Sequence, residues 1–155
     1  MSAIKVLCLS LMVSVVCADD NSKNHVSTIY QKCQTEVKLS NEEMKSFRSM
    51  GIPKSQSEKC MMGCLMKEVK VINNGKFSVE GASKVAEKYY GSNQPLMQKA
   101  KGIIEACAKK SESASDECSV AGIVTTCIVE EASKAGLSGG PGNRSTRSIL
   151  PNNQK

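Results

Sequence analysis

The sequence predicts an all-α fold of six helices cross-linked by three disulfides. Apolar residues recur at the i, i+3, i+4 spacing of amphipathic helices through most of the chain, and no strand alternation of useful length appears. Residues that cap helix N-termini precede most of these segments, and Gly or Pro follows them. Six cysteines follow residue 18, an even number that is typical of three disulfides in a secreted chain.

The first two helices lie before the sequence Gly51-Ile52-Pro53. Helical spacing of apolar residues predicts the first helix, which we expect to end before Leu39. Ser40 and Glu43 form the pattern of a capping box, so the second helix should begin there. Gly51-Ile52-Pro53 ends that helix. The inward positions of the two helices are predicted to be Val26, Ile29, Tyr30, Cys33, Val37, Met44 and Phe47.

The third helix carries more apolar surface than a single core-facing stripe needs. Ser55 or Ser57 is expected to cap its N-terminus. We expect the helix to continue to about Ile72, because apolar residues recur along that whole stretch. The following Asn73-Asn74-Gly75 ends it with residues that tolerate positive φ.

Start and stop signals also bound the last three helices. Ser78 opens the fourth helix and Gly91 closes it. Asn93 precedes the fifth helix, and Asp116 caps the sixth, which Gly136 ends. The residues predicted to face inward from these helices are Val79, Ala82, Val85, Ala86, Tyr89, Leu96, Ala100, Ile103, Ile104, Cys107, Val120, Ile123, Val124, Cys127 and Ile128.

The chain is expected to divide into three parts. Residues 1–18 have the layout of a secretory signal peptide, with Lys5 before an apolar run and small residues before a cut after Ala18. That run is too short to cross a bilayer, which argues against the alternative of a membrane anchor. Residues 19–137 form the predicted six-helix ligand-binding domain. Residues 138–155 are a basic tail rich in Gly, Ser, Pro and Asn, expected to be flexible.

Composition and charge argue against nucleic-acid binding, metal binding and catalysis. The formal net charge is +6 without a concentrated basic stripe, and the aromatic residues are not interleaved with Arg or Lys. His25 is the single histidine and no C-x-x-C spacing occurs after residue 18, so neither a metal nor any other cofactor is expected. The adjacent pairs Glu42-Glu43 and Glu130-Glu131 diverge on a helix, so they are not an acid/base couple. With every cysteine bridged, no catalytic thiol remains, and an enzyme is not expected.

Helix geometry limits the disulfide pairing without fixing it. Six cysteines allow fifteen pairings. Cys118 and Cys127 are nine residues apart on one helix, which is about 13.5 Å and too far for a bridge. Cys60 and Cys64 project from one helix face, so their side chains run roughly parallel instead of meeting. Ten pairings remain, and we expect the third helix to send two bridges to two other elements.

The cysteine spacing resembles that of a known family. The gaps between successive cysteines from Cys33 to Cys127 are 26, 3, 42, 10 and 8 residues. With these gaps and the stretches KCMMGCLMKEV and NGKFS, residues 21–136 resemble insect odorant-binding proteins of the six-cysteine, pheromone and general odorant-binding type. The resemblance implies six helices around an internal apolar cavity. It also implies the interlocked bridges Cys33–Cys64, Cys60–Cys118 and Cys107–Cys127.

The apolar helix faces indicate which residues would line such a cavity. Methionine side chains are flexible and polarisable, so they conform to differently shaped partners, although ordinary core filling is the alternative for any one Met. Disulfides would offset the burial energy that a partly empty interior gives up. Candidates for a polar contact to the ligand are Tyr30, Tyr89, Tyr90, Thr125 and Thr126. The predicted cavity residues are Met44, Phe47, Met61, Leu65, Met66, Val69, Ile72, Phe77, Tyr89, Ile103, Val124 and Ile128.

The resemblance implies a secreted carrier that transports small hydrophobic ligands, odorants or pheromones, through aqueous lymph to receptors. The expected partners are that ligand and an odorant receptor or membrane surface. The expected location is sensillum lymph or haemolymph, and the chain is expected to be a monomer or a weak homodimer. The alternative is a non-olfactory secreted carrier, or a defence or interaction protein in haemolymph or reproductive fluid, for which the basic tail is the best support.

The tail departs from one pattern of the family that the chain resembles. Some members release ligand at low pH, when an acidic C-terminal segment enters the cavity. Residues 138–155 contain no Asp or Glu, so we expect a weak or differently built pH response. His25 is the one side chain expected to change charge near neutral pH without perturbation. The apolar pair Ile149-Leu150 could enter the cavity mouth, and Asn143 begins a glycosylation sequon.

Overall fold

The computed structural model describes residues 25–137, and these residues form a helical domain with one small hairpin. The predicted signal peptide, the Asn143 sequon and Ile149-Leu150 lie outside the described residues. Within residues 25–137, no helix is both long enough and apolar enough to cross a membrane. The elements are α1 (helical over residues 25–37), α2 (Asn41–Met50), α3 (Gln56–Glu68), β1 (Ile72–Asn73), β2 (Lys76–Phe77), α4 (Val79–Tyr90), α5 (Gln94–Ser111) and α6 (Glu117–Lys134).

Helices α2 to α6 each begin at a residue that the sequence predicted as a cap. In every case the capping side chain accepts a hydrogen bond from the backbone N–H three residues further on, which satisfies one of the free donors of the first turn. Helices α2 and α3 both have complete capping boxes, in which the glutamate also binds back to the cap. The five N-caps are Ser40, Ser55, Ser78, Asn93 and Asp116.

The end of α3 differs from the prediction. The helix stops at Glu68, because Lys70 turns the chain with a φ of 63° and Val71 N–H donates to the Met66 carbonyl at 2.8 Å. Strands β1 and β2 then pair antiparallel, with Asn74 and Gly75 at φ angles of 51° and 72°. Two consecutive residues with positive φ make a tight hairpin turn of the I′ kind. The Asn-Gly sequence therefore closes a hairpin here, and the expected helix to Ile72 is wrong by four residues.

Three disulfides join the helices in the pairing that the resemblance implied. Cys33–Cys64 links α1 to α3, Cys60–Cys118 links α3 to α6, and Cys107–Cys127 links α5 to α6. Helix α3 sends its two bridges to two different elements, as its turn-spaced cysteines predicted. Helix α6 packs against both α3 and α5, and α4 packs against α5. The bridges therefore lie between helices that are also packing neighbours, and the predicted all-α class with three interlocked disulfides is confirmed.

Helix α4 packs closely on the turn that follows α3. A Cβ atom at Gly81 would overlap the backbone carbonyl of Lys70. The Ser78 backbone N–H, at the start of α4, donates to the Val71 carbonyl at 2.8 Å. Because only glycine permits this approach, the hairpin and the first turn of α4 hold each other in place.

Candidate functional site

Most of the buried apolar residues among residues 25–137 form three clusters. A domain of this size usually has one contiguous core with smaller satellites. The α1–α3 cluster lies among the first three helices, the α4–α5 cluster lies between those two helices, and the α6 cluster lies where α6 meets the hairpin. In that order their members are Cys33, Leu39, Met44, Phe47, Met61 and Cys64; Val71, Ala82, Ala86, Met97, Ala100 and Ile104; and Ile72, Val120, Ala121 and Val124.

Three flexible or aromatic side chains connect these clusters. Met62 packs against both the α1–α3 and the α6 clusters, whereas Met66 and Phe77 pack against both the α4–α5 and the α6 clusters. All three side chains are only partly buried. We call these three residues the seam. Because each of these side chains contacts two clusters, a small apolar molecule bound beside them would gain burial against more than one cluster.

Ten of the twelve predicted cavity residues face the interior to some degree. Five are buried members of the clusters: Met44, Phe47, Met61, Ile72 and Val124. Five others are partly buried: Leu65, Met66, Phe77, Ile103 and Ile128. Leu65 packs on the α1–α3 cluster, and Ile128 packs on the α6 cluster. Met66 and Phe77 belong to the seam itself. That the twelve residues line one ligand cavity stays a prediction.

Two of the predicted cavity residues lie at the surface instead. Val69 is 49% exposed, because α3 ends at Glu68 and Val69 is the residue at its C-cap. Tyr89 is 43% exposed. The buried stripe of α4 runs from Ala82 to Ala86, and the half-buried Tyr90 continues it at the same four-residue step. The predicted inward positions of Val69 and Tyr89 are therefore wrong.

Other inward assignments also change. Val79 and Ile123, expected to face inward, are 41% and 36% exposed. Met62 and Met97 belong to the interior although the predicted cavity set omits them. The stripe Met97, Ala100 and Ile104 has helical spacing, so the sequence held a signal for Met97. Met62 had no such signal, because apolar residues surround α3 on several sides.

Buried polar side chains are few in the described part of the chain. Glu58 accepts backbone hydrogen bonds from Lys54 at 2.6 Å and Ser55 at 3.1 Å. The Lys54 N–H in particular holds the pKa of Glu58 below its ordinary value. Ser111 donates to the Ala108 carbonyl at 2.8 Å. The third buried group is Thr125, whose Oγ1 has no hydrogen-bond partner among residues 25–137.

Two of the tyrosines proposed as polar contacts are partly buried. Tyr30 packs on the α1–α3 cluster, and Tyr90 packs on the α4–α5 cluster. Burial raises the pKa of the Tyr30 phenol, and the positive charge of Arg48 partly counteracts this. The Tyr30 phenol is therefore neutral at physiological pH, and it can donate or accept a hydrogen bond.

A concavity lies on the outer face of α6, and no residue of the seam lines it. It is an open depression of about 500 Å³. None of the twelve predicted cavity residues lines it, and it is bordered by charged and hydroxyl side chains. A hydrophobic molecule bound in this depression would remain exposed to water. The interior is therefore the better candidate for the ligand site. Its lining residues are Lys59, Lys110, Ser119, Gly122, Ile123, Thr126, Cys127 and Glu130.

The arrangement of the described residues suits binding more than reaction chemistry. Among residues 25–137, no group of three or more His, Cys, Asp or Glu side chains could hold a metal ion. All six cysteines of that region are in disulfides. The side chains of the seam are apolar, and Tyr90 packs on the α4–α5 cluster that Met66 and Phe77 also contact. Such a site can exclude water and supply one or two hydrogen bonds to a guest.

Comparison with known sequences identifies the family. Residues 17–131 match the sequence model of the PBP/GOBP family. General odorant-binding protein 28a of Drosophila melanogaster is 27% identical over 108 residues, which are 69% of this chain and 75% of the relative.

Comparison with solved structures supports the same fold. Odorant-binding protein dmelOBP28a from Drosophila melanogaster matches with a TM-score of 0.61 at 25% identity, covering 77% of this chain and 97% of the other. Fatty acid binding protein OBP56a from the oral disk of the blowfly Phormia regina gives 0.58 at 14% identity, over 74% and 94% of the chains. Apis mellifera odorant binding protein 5 gives 0.53 at 18% identity, over 72% and 89%. The last two likenesses concern the fold alone.

Proposed function

The chain belongs to the PBP/GOBP family of insect odorant-binding proteins, and from that membership we propose that it carries odorants or pheromones through an aqueous extracellular fluid to membrane receptors. The family consists of binding proteins that take up small hydrophobic ligands and are not enzymes, which agrees with the sequence analysis. We further propose that the ligand occupies the seam.

The single observation that carries this proposal is the division of the interior into three clusters. Met62, Met66 and Phe77 connect the clusters and are only partly buried. Thioether side chains rotate easily, so Met62 and Met66 can move aside for a guest and pack around it. The three disulfides keep the helices together while those side chains rearrange.

The energy available from burial is sufficient for useful affinity. Burying a twelve-carbon chain at ~0.8 kcal/mol per methylene gives roughly 10 kcal/mol. Association and ordering cost at least ~4 kcal/mol of this gain. One hydrogen bond to the head group returns ~1 kcal/mol. The balance is about −7 kcal/mol, which corresponds to a dissociation constant in the range of roughly 1–10 μM.

The expected ligands are linear or branched molecules with a long apolar part. The blowfly protein of the same fold is described as binding fatty acids, which supports long apolar chains as the ligand class for this scaffold. Odorants and pheromones of insects meet that description. Expression in antennae or other chemosensory organs would support the olfactory role.

A second candidate is a carrier or defence protein that works outside olfaction, in haemolymph or reproductive fluid. The observation that favours it is the basic, acid-free composition of residues 138–155. Such a tail would attract anionic surfaces. Expression confined to tissues without chemosensory neurons would support this candidate over the olfactory one.

The carrier function can be tested by fluorescence titration with an apolar probe. We expect N-phenyl-1-naphthylamine to bind saturably with micromolar affinity, and long-chain alcohols, aldehydes or esters to displace it. Met66→Gln places an amide at the seam and should weaken probe binding by roughly tenfold, since an unpaired amide in an apolar site costs ~1–3 kcal/mol. Val69→Gln is the matched control, because Val69 lies on the same segment but is half exposed.

Two results would count against the proposal. Saturable binding that no member of a broad ligand panel displaces would remove the carrier function. Equal affinity in wild type and Met66→Gln would show that the ligand binds elsewhere than the seam.

A further inference from the structure

Thr125 has a buried hydroxyl whose hydrogen-bonding capacity is unused. The residue is only 7% exposed. Its Oγ1 atom has no hydrogen-bond partner within the described residues, whereas the other two buried polar side chains, Glu58 and Ser111, are both satisfied. Buried polar groups in folded proteins are almost always paired, so an unpaired one calls for an explanation. A ligand that is not part of the chain would supply the missing partner.

Thr125 lies on a face of α6 that borders the α6 cluster. Ala121 lies one turn before it and Ile128 lies three residues after it, so the three share one helix face. Ala121 is fully buried in the α6 cluster, and Ile128 packs against that cluster. Met66 and Phe77 of the seam pack against the same cluster. Thr125 therefore belongs to the interior face of α6, whereas its neighbour Thr126 lines the outer depression.

We propose that the Thr125 hydroxyl forms the hydrogen bond to the head group of the bound ligand, and that this ligand is an apolar chain with an uncharged polar head. This inference rests on the proposed carrier function and specifies its ligand class. A hydroxyl group both donates and accepts, so it suits a primary alcohol as well as the carbonyl of an aldehyde or ester.

A carboxylate head group fits the same position poorly. The buried polar and charged residues in the described part of the chain are Glu58, Ser111 and Thr125, so no Lys or Arg is buried there. An ionised carboxylate would lose its hydration and gain a single neutral donor in return. Alcohols should therefore bind more tightly than carboxylates of the same chain length at neutral pH.

The test is a comparison of two neighbouring threonine variants of the full, oxidised protein. Thr125→Val keeps the shape of the side chain and removes the hydroxyl, and Thr126→Val does the same on the outer face. Competition against N-phenyl-1-naphthylamine gives the affinity of 1-dodecanol, dodecanal and dodecanoate for each variant. In wild type we expect 1-dodecanol to bind at least about tenfold more tightly than dodecanoate at pH 7.5.

Removing the hydroxyl should weaken 1-dodecanol and dodecanal by about five- to tenfold in Thr125→Val. The affinity of the apolar probe should change less than about twofold, and Thr126→Val should behave as wild type. Thr125→Ser, which keeps a hydroxyl, should recover most of the alcohol affinity. The empty Thr125→Val protein should melt at the same temperature as wild type or higher, because its buried unpaired group is gone.

The outcomes separate this inference from the carrier function. If 1-dodecanol binds Thr125→Val as tightly as wild type, the hydroxyl is not the anchor, although probe displacement still supports a carrier. An equal loss of probe and alcohol affinity would mean that the substitution acts through the structure, and it would also overturn the assignment. Dodecanoate binding as tightly as 1-dodecanol would overturn the uncharged head group. A wild-type protein that binds neither probe nor alcohol would refute the carrier function itself.

Discussion

The two capping boxes of this chain offer a direct measurement of what burial adds to a helix cap. Helices α2 and α3 begin with the same motif, a serine cap and a glutamate three residues later. Glu43 of α2 is partly exposed, whereas Glu58 of α3 is only 4% exposed. Truncating each glutamate to alanine removes the same chemical interaction from two different environments. We predict that Glu58→Ala destabilises the protein far more than Glu43→Ala.

The hydrogen bonds set the expected magnitudes. Glu43 accepts from the Ser40 N–H at 3.0 Å and the Ser40 hydroxyl at 2.8 Å. Water can replace Glu43 at the exposed Ser40, so Glu43→Ala should lower the free energy of unfolding only slightly. Glu58 accepts from the N–H groups of Lys54 at 2.6 Å and Ser55 at 3.1 Å. Two charge-assisted bonds at a buried carboxylate contribute about 1.5 kcal/mol each, so Glu58→Ala should cost about 3 kcal/mol.

Urea unfolding followed by circular dichroism, with the disulfides intact, gives both differences. The comparison also has a pH signature. The Lys54 N–H, with the Ser55 N–H, lowers the pKa of Glu58 from its ordinary range near 4.3. A lowered carboxyl pKa stabilises the fold fully above the ordinary value, and this contribution is lost as pH falls through the lowered folded value. The difference between wild type and Glu58→Ala should therefore be constant from pH 7.5 to 5.5 and shrink below about pH 4.

Either of two results would contradict the predicted effect of burial. Equal costs for the two substitutions at pH 7 would show that the α3 cap is hydrated in the folded protein. A Glu58→Ala difference that grows as the solution becomes more acidic would have the wrong sign for a carboxyl whose pKa is lowered by folding.

Three further predictions follow from the same structure. Replacing Cys60 and Cys118 by alanine opens a loop with a sequence separation of 58 residues and should cost about 4 kcal/mol, more than removing the α5–α6 bridge, whose separation is 20 residues; chemical denaturation that gives equal or reversed costs would contradict this. Gly81→Ala should lower the melting temperature by several degrees because its Cβ would overlap a backbone carbonyl, whereas Gly102→Ala, which has no atom within 4 Å of the new Cβ, should raise it by about 2–4 °C; a melting temperature unchanged by Gly81→Ala would refute the contact. Probe affinity should change less than about threefold between pH 7 and 5. Hydrogen bonds from Ser119 lower the pKa of Asp116, and the hydrogen bond from Lys32 lowers the pKa of Glu68, so both carboxylates stay ionised over that interval. A tenfold loss of affinity would show that another group controls release.

Helix starts were predictable from the sequence because capping is local. A serine or asparagine side chain reaches only its own first turn, so the pattern of four residues contains the whole interaction. The end of α3 was not predictable in the same way. Asn74 and Gly75 tolerate positive φ both at a helix end and in a hairpin turn, and the choice depends on packing of the hairpin against α5 and α6.

Sequence patterns also predicted the residues of the candidate site only in part. Periodicity identified the apolar face of α4 but did not decide which of the adjacent residues Tyr89 and Tyr90 lies on it. In the structure Tyr90 packs against the α4–α5 cluster, and Tyr89 is exposed. Helix α3 has apolar residues on several sides, so its pattern could not identify Met62 as a residue between two clusters. Local sequence patterns also could not determine which cysteines pair, because the pairing depends on which helices are neighbours in the fold.

The disulfides and the three clusters together explain how one chain can be stable without a single continuous core. Cys60–Cys118 joins α3 to α6, and thereby fixes the α1–α3 cluster to the α6 cluster. Cys107–Cys127 joins α5 to α6, and so fixes the α4–α5 cluster to the same helix. A disulfide therefore spans the junction of the α1–α3 and α6 clusters, and another spans the junction of the α4–α5 and α6 clusters. The partly buried seam residues make the apolar contacts at these same two junctions. If the ligand enters at the seam as proposed, it can displace Met62 or Met66 while the bridges hold the helices together.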